Sequence, residues 1–330
     1  MCLLLMTATH GYAGLTNPPT PNIDYAFAYL PSVGGLVMHG GWCEPDWQPL
    51  SNIWLLTDYG WEQILAGPRM MHHSAALDTQ RGVLVVCGRT NYPNNNVNPT
   101  FEFSGSAWLQ KPTLVAGNDG DVKLAYDPLR RKTVAYVGGA TPTETWEYDG
   151  TNWTFASTAT QPSATAEGAV IGFDPVSNVV LLVVTTNELF SANVYTSETW
   201  TYDGDDWTRR ASGQPLNAWT GGMACDTAHS NLVLLTTAGQ TWMWTGSMWR
   251  RLTPSHAPVP DRGFFTFAFD PLRAVSSFFS GEYTTGAWVQ VHPLDTWDWN
   301  GHTWSRFTPV PEPALMVAVV AVLAWRRRAA

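Results

Sequence analysis

Aromatic and hydrogen-bonding side chains gather in four polar stretches of this 330-residue chain: Trp42, Glu44, Asp46 and Trp47; Asn91, Tyr92 and Asn94 to Asn96; Glu188 and Tyr195; Tyr283 and Trp288. Flat rings beside amides and carboxylates can stack on the C–H face of a sugar and accept hydrogen bonds from its hydroxyls. Ordinary loop packing uses the same residue types, so these are binding rather than catalytic candidates. Arg69 and Arg262 follow Pro68 and Asp261 and precede apolar runs; they either line an opening or form structural ion pairs.

Covalent chemistry has weaker support. The chain holds no G-x-x-x-x-G-K-[ST], G-x-S-x-G or H-E-x-x-H pattern. His72 and His73 are adjacent, so on a strand they point to opposite faces and cannot chelate one metal without a bulge. Carboxylate pairs for glycoside hydrolysis are diagnosed by separation in space, which the sequence does not supply. The expectation is a binding protein with no catalytic residue, metal or cofactor.

Composition narrows the class. With 18 Trp, 11 Tyr and 13 Phe the chain carries too much aromatic surface to be disordered, although only 14% of it is charged. A net charge of -9 excludes the basic stripe that a nucleic-acid partner requires. Four Cys are too few for a disulfide scaffold, and Cys43, Cys87 and Cys225, the three beyond the N-terminal segment, are odd in number.

The elements that would position the candidate residues repeat. Six aromatic pairs recur with an internal offset of seven: Trp54 and Trp61, Phe101 and Trp108, Trp146 and Trp153, Trp200 and Trp207, Trp242 and Trp249, Trp297 and Trp304. Their mean period is about 49 residues. Each pair reads as a hairpin with a tight turn, for which Asp149-Gly150 at the centre of a type I′ turn predicts Tyr148 opposite Thr151 and Trp146 opposite Trp153. Thr57-Asp58 in the first copy breaks the pattern and predicts another loop type there. Before each pair lie two apolar runs joined by a turn, as in Leu124 to Asp127 and Thr133 to Gly139, or Ile171 to Asp174 and Val179 to Val184. Continuous apolar runs mark strands buried on both faces.

Four strands in each of six copies predict an all-β, six-bladed β-propeller over residues 23–308, with each blade complete in itself. The apolar strand ending in Gly40-Gly41 or Gly138-Gly139, the aromatic with Tyr148 or Tyr202 two residues later, and the final Trp together resemble kelch repeats. In such a fold the recurrent Trp and Tyr are inter-blade core, and the polar stretches named above fall on loops of one face. The central domain of galactose oxidase is similar in architecture. That resemblance implies, as an alternative, a copper site of two Tyr, two His and a Cys, for which no local signature assigns residues. The sialidase Asp-box is absent, because Asp149-Gly150 and Asp203-Gly204 have no residue between them. A carbohydrate-active hydrolase or lyase at the channel mouth is a further alternative, and a purely structural matrix protein another.

The two ends carry an address. Residues 1–13, with Leu3 to Met6 and small residues near Ala13, resemble a truncated signal peptide. Residues 310–330 combine Pro311, Glu312 and Pro313, a charge-free apolar stretch that predicts a short helix, and Arg326, Arg327 and Arg328. This tail resembles the PEP-CTERM sorting signal of Gram-negative bacteria. The resemblance implies export, removal of the tail by an exosortase-type membrane protease after transient association with the inner membrane, and residence in the envelope, surface or extracellular matrix. Exopolysaccharide or an envelope protein is then the expected ligand.

Overall fold

Runs such as Val179 to Val184 are stable only where neighbouring layers cover both faces of the strand, and the fold supplies those layers by arranging sheets around an axis. The computed structural model describes residues 19, 23–42, 48–90, 97–117, 121–139, 142–162, 168–189, 194–212, 220–258, 262–284 and 290–310. Side chains at 186–189, 194–195, 211–212, 220, 283–284 and 290 are not described. The proposed signal peptide and most of the tail, including its helix and sorting motif, lie outside these residues. No helix among the described residues is long and apolar enough to cross a membrane.

The strands are β1 (Ala26–Leu30), β2 (Gly35–His39), β3 (Leu50–Thr57), β4 (Gly60–Asp78), β5 (Val83–Arg89), β6 (Val97–Phe103), β7 (Trp108–Val115), β8 (Asp121–Asp127), β9 (Lys132–Gly138), β10 (Glu144–Tyr148), β11 (Trp153–Phe155), β12 (Ala169–Asp174) and β13 (Val179–Leu189). They continue as β14 (Val194–Tyr202), β15 (Trp207–Ser212), β16 (Thr220–Asp226), β17 (Asn231–Thr236), β18 (Thr241–Trp244), β19 (Trp249–Arg251), β20 (Phe267–Asp270), β21 (Val275–Phe279), β22 (Tyr283–Thr284), β23 (Gln290–Val291), β24 (Thr296–Trp299) and β25 (Trp304–Arg306). Strands β1 to β7 form one antiparallel sheet; β8 to β11, β12 to β15, β16 to β19, and β20, β21, β24 and β25 form four-stranded sheets, with β22 and β23 as a separate ribbon. The long β4 serves twice, its residues from Gly60 to Met70 pairing with β3 and those from Met71 to Asp78 with β5.

The innermost strands close a ring: β1, β4, β8, β12, β16 and β20 touch in succession, and β20 touches β1 again. The chain is therefore a β-propeller. Its core is a series of clusters between sheets, such as Val134 and Tyr136 against Leu182, Tyr202 and Trp207, or Tyr25 and Leu36 against Ala268 and Phe279 across the closure. No strand is exchanged at that closure among the described residues. It is held instead by Thr266 Oγ1 donating to the Tyr25 carbonyl at 2.9 Å, Asp24 N–H to Phe264 O at 3.3 Å, and the Tyr25 hydroxyl to Phe279 O.

The hairpin register departs from the sequence expectation. Tyr148 lies opposite Trp153 and Trp146 opposite Phe155, so the turn is centred one residue later, on Gly150-Thr151. The cause is the Asp149 side chain. Its Oδ1 accepts from the N–H groups of Thr151 and Asn152, both at 2.8 Å, an Asx cap that holds Asp149 at the flank of the loop rather than its centre. Asp203 and Asn300 repeat the cap with two N–H groups each, and Ser104 and Thr245 with one. Thr57 accepts from Tyr59 in a similar way, but the first copy has the different loop that the sequence predicts: its left-handed glycine is Gly60, three residues after the cap, where the other copies place Gly105, Gly150, Gly204, Gly246 and Gly301 directly after it. Gly150 has φ of 93°, and a Cβ there would meet the Arg81 guanidinium at 2.9 Å, so glycine is required by both backbone and neighbour.

The shifted register sets the final Trp of each hairpin against the preceding repeat. The indole N–H of Trp153 donates to Thr100, Trp207 to Thr145, Trp249 to Thr199, Trp304 to Thr241 and Trp61 to Thr296, each at 2.8 to 2.9 Å. Every acceptor Thr immediately precedes the first aromatic of its repeat and is buried. In the first repeat that position is Ile53, and the Trp108 indole N–H that should find it is buried without a partner.

A second network binds the turns between the first two strands of the repeats, on the same face as the hairpin turns. Asp127 caps its own turn through Leu129 and Arg130 N–H, and its Oδ2 takes Arg130 Nε at 2.8 Å. Arg130 continues to Glu147, which accepts from the Tyr202 hydroxyl of the next repeat at 3.0 Å, while the guanidinium lies over the Tyr202 ring. Asp78, Arg81, Glu102 and Tyr148 repeat the circuit. Where Ser177 or His229 replaces the arginine, Thr201 or Met243 replaces the acid of the third strand; the buried Asp174 then rests on neutral donors, Val176 N–H at 3.0 Å and the Trp244 indole N–H at 3.0 Å.

Thr145→Val or Thr199→Val should lower stability by about 1 to 3 kcal/mol, since each strands a buried indole N–H. Ile53→Thr should cost less than about 1 kcal/mol, because the new hydroxyl meets the waiting Trp108 donor. Guanidinium unfolding midpoints check both.

Candidate functional site

The two faces of the propeller differ in how their connections are satisfied. The turns after β4, β8, β12, β16 and β20, and those closing the Trp hairpins, are short and capped by their own side chains, while the turn after β1 is closed by backbone bonds to the Leu30 and Pro31 carbonyls. The opposite face carries the longer connections from β2 to β3, β5 to β6 and β21 to β24, together with the starts of the innermost strands. Loops on a rigid scaffold are where binding groups concentrate, and on this face the starts of the innermost strands line a cavity of about 490 Å³ on the axis.

Six positions before the end of each inner strand stand Asp24, His72, Asp121, Gly168, Thr220 and Phe264, and of these Asp24, His72 and Phe264 line the cavity. Asp24, His72 and Phe264 hold left-handed backbone at φ of 53°, 47° and 55°, a strain found where the chain turns sharply at functional sites. The Trp42 backbone bridges Ile23, and its indole N–H donates to Asp24 Oδ2 at 2.9 Å. The same oxygen takes His72 Nδ1 at 3.2 Å; Asp121 Oδ2 lies 3.9 Å from that nitrogen and Oδ1 receives Arg89 at 3.1 Å. With Nδ1 committed to carboxylates, Nε2 is the His72 atom left for a ligand. Below this rim the lining includes Tyr25, Phe27, Leu124, Ile171, Met223, Phe265 and Phe267, with Lys123 from β8 and Glu282 at the edge.

The register of β4 shifts between Met71 and Ser74 and His72 is left-handed, so the alternation of a regular strand does not hold here, and His73 lines the cavity together with His72. His73 meets the buried His39 at 3.2 Å, and His39 Nε2 reaches the Pro68 carbonyl at 3.0 Å. A carbonyl only accepts, so His39 carries its proton on Nε2 and accepts from His73 Nε2–H through Nδ1. Burial pushes His39 down to about 4, and burial together with the charges of His39, His72 and Lys123 holds His73 well below the usual imidazole range.

Of the sequence candidates, Trp42 reaches the mouth, though its N–H is taken by Asp24. Arg262 is 2% exposed, pairs with Asp295 at 2.8 Å and lies over the Phe278 ring, so it is a structural ion pair. Arg69 is exposed on β4 and donates to the Pro49 carbonyl at 3.1 Å. Tyr195 sits in β14 opposite Asn187 and Tyr283 in β22 opposite Val291, their side chains undescribed. Asp46, Trp47, Tyr92 and Trp288 lie outside the described residues. Sequence reasoning missed Asp24, Asp121 and Lys123; aligning the repeats on their turn aspartates would have brought the first two into one row with His72.

The recurrent aromatics divide by position. Trp61, Trp207, Trp249 and Trp304 are buried, as are Trp200 and Trp297, whereas Trp54, Phe101, Trp146, Trp153, Trp242 and Trp108 are half-buried. Several first aromatics instead donate to an acceptor two residues back, as Trp146 does to Glu144 and Trp297 to Asp295. For the copper alternative the donors do not fit. His72 is turned to carboxylates, His73 to His39, and Cys87 is buried near Thr100 and Asn98.

No family model and no curated protein matches the chain. Among solved structures, that of YjhT is similar with a TM-score of 0.57 at 11% identity, over 89% of this chain and 99% of that one. A chain of the nidogen/laminin complex gives a TM-score of 0.48 at 14% identity, over 81% and 92%. The first likeness agrees with the propeller fold read from the inner ring.

His39 and His73 protonate less readily folded than unfolded, so their contribution to stability is complete above pH 6.5 and declines as pH falls toward the folded value of about 4 for His39. Unfolding free energy should drop by about 2 kcal/mol between pH 7.5 and 5 on account of His39, and the depressed His73 adds to the drop in the same direction. His39→Gln should flatten that slope in denaturant titrations at the two pH values.

Proposed function

We propose that this chain is an exported, six-bladed kelch-like propeller that binds carbohydrate, in the bacterial context an exopolysaccharide, through its open face without catalysing its conversion. The count of six is supported by dividing the seven-stranded sheet within β4, where pairing passes from β3 to β5. The observation that carries the reading is the asymmetry of the faces. One is sealed by capped turns, while the other opens into the 490 Å³ cavity, within the size range of small-molecule sites. Rim carboxylates and the His72 imidazole can exchange hydrogen bonds with sugar hydroxyls, and the aromatic lining can meet a ring face. The tail reading completes the proposal: exosortase-type cleavage near Pro311, Glu312 and Pro313 would release the propeller to the surface or matrix.

One observation favours an enzyme instead. Asp24 Oδ2 lies 3.2 Å from Nδ1 of His72, a residue of the cavity lining, which is the pairing of a carboxylate-backed general base. Turnover of glycans by the wild-type protein, abolished in His72→Gln, would establish it.

On a glycan array the wild-type protein should retain glycans, and Trp47→Ala with Trp288→Ala should weaken binding by about tenfold or more, equivalent to about 1.4 kcal/mol. Unchanged binding would remove the loop face from the reading. Intact mass of the protein released by its native host should lack Arg326, Arg327 and Arg328; a mass that includes them contradicts the sorting proposal.

A further inference from the structure

Lys123 is out of place in its strand. It stands between Val122 and Leu124 on an innermost strand otherwise rich in apolar residues, and it lines the axial cavity. Buried ammonium groups are costly unless paired, and the other half-buried or buried cations among the described residues obey that rule. Arg89 meets Asp121, Lys111 meets Glu102, Arg130 meets Asp127 and Glu147, Lys132 meets Asp149, Arg262 meets Asp295, and Arg273 meets Asp270 and Asp298. For Lys123 no carboxylate of the described residues lies within ion-pair distance. The acids that share its cavity are engaged at the rim, Asp24 by His72 and Trp42, and Glu282 facing His292 at 4.0 Å.

We infer that Lys123 receives the carboxylate of an acidic sugar, so that the site takes a uronate-type residue whose hydroxyls face the rim. The inference rests on the carbohydrate reading above and narrows it to a ligand class. An ammonium below a carboxylate-bearing rim orders the ligand: its acid group is repelled from Asp24 and Glu282 and drawn inward, while its hydroxyls donate to those same acids. The chain's net charge of -9 disfavours anions at long range, so a local cation must supply the selection. The cavity volume suits one small ligand or the end of a polymer. Free sugar acids and chain ends of an acidic polysaccharide offer the same chemistry.

Calorimetric titration with glucuronate, its neutral methyl ester and glucose tests the assignment on the full chain, its Lys123→Met variant and its Lys123→Arg variant, with unfolding midpoints confirming that each variant folds. The expected result is glucuronate binding to wild type at least tenfold tighter than the ester, loss of that ratio in Lys123→Met, and its recovery in Lys123→Arg. An acid-to-ester ratio unaltered by Lys123→Met overturns the inference. Equal binding of acid and neutral sugars by wild type also overturns it while leaving the carbohydrate reading intact; binding of none of the sugars here and of none on the array overturns both. An oligouronate arm separates the sources, monomer and oligomer binding alike if the free acid is the ligand, and the oligomer more tightly if a chain end is.

Discussion

A propeller must bond each sheet to the next without sharing strands, and here one contact carries that burden: an indole N–H of one repeat donating to a threonine hydroxyl of the repeat before it. Trp61 to Thr296 is the member that joins the end of the ring to its beginning, across 235 residues of sequence. The bond is worth little as a net gain, about 1 kcal/mol. Its strength as a constraint lies in the alternative, since an indole buried against an apolar neighbour loses water and finds nothing in return. The geometry is thus selected by the cost of missing it. Trp108 shows the cost being tolerated once, where Ile53 stands in the threonine position and tight packing against Phe103, ring centroids 4.7 Å apart, compensates.

The Asp–Arg–acid–Tyr circuits extend the same logic to one face only. Each joins a turn to the strand beside it and then to the next repeat, so that face is knitted into the ring and has few groups to offer a ligand. The other face begins where the inner strands begin, and there the repeats stop agreeing. Equivalent positions hold Asp24, His72 and Asp121 on one side of the axis and Gly168, Thr220 and Phe264 on the other. The charged members of this row lie on one arc, and Glu282, paired through its backbone with Gly263, adds a carboxylate at the cavity edge on the other.

Much of this was legible in the residues because it recurs. Aromatic spacing, turn aspartates and apolar runs disclose the repeat, and the repeat implies the ring. The hairpin register was misjudged because Asp-Gly suits the centre of a type I′ turn as well as it suits a capped loop; only the Asp149 side chain's bonds to Thr151 and Asn152 distinguish the two. The mouth was hidden for a different reason. Asp24, His72 and Asp121 meet only after the chain has circled through intervening sheets, and periodicity reports what repeats, not what differs at one position of the repeat. Lys123 left a visible trace, a cation inside an apolar strand, whose meaning required knowing that no acid stands opposite.

The division between what repeats and what does not explains why such a scaffold can carry a specific site. Interactions that recur around the ring cannot be changed singly without leaving a buried partner unsatisfied; the matched loss of arginine and acid at Ser177 and Thr201, and again at His229 and Met243, is that restriction at work. At the open mouth the contacts between repeats, Asp24 with His72 and His72 with Asp121, occur once rather than around the whole ring. Substitution there alters the ligand face and leaves the recurrent indole–threonine bonds in place. Strain at Asp24, His72 and Phe264 is held by the surrounding strands, and the polar groups it presents are pre-oriented before any ligand arrives.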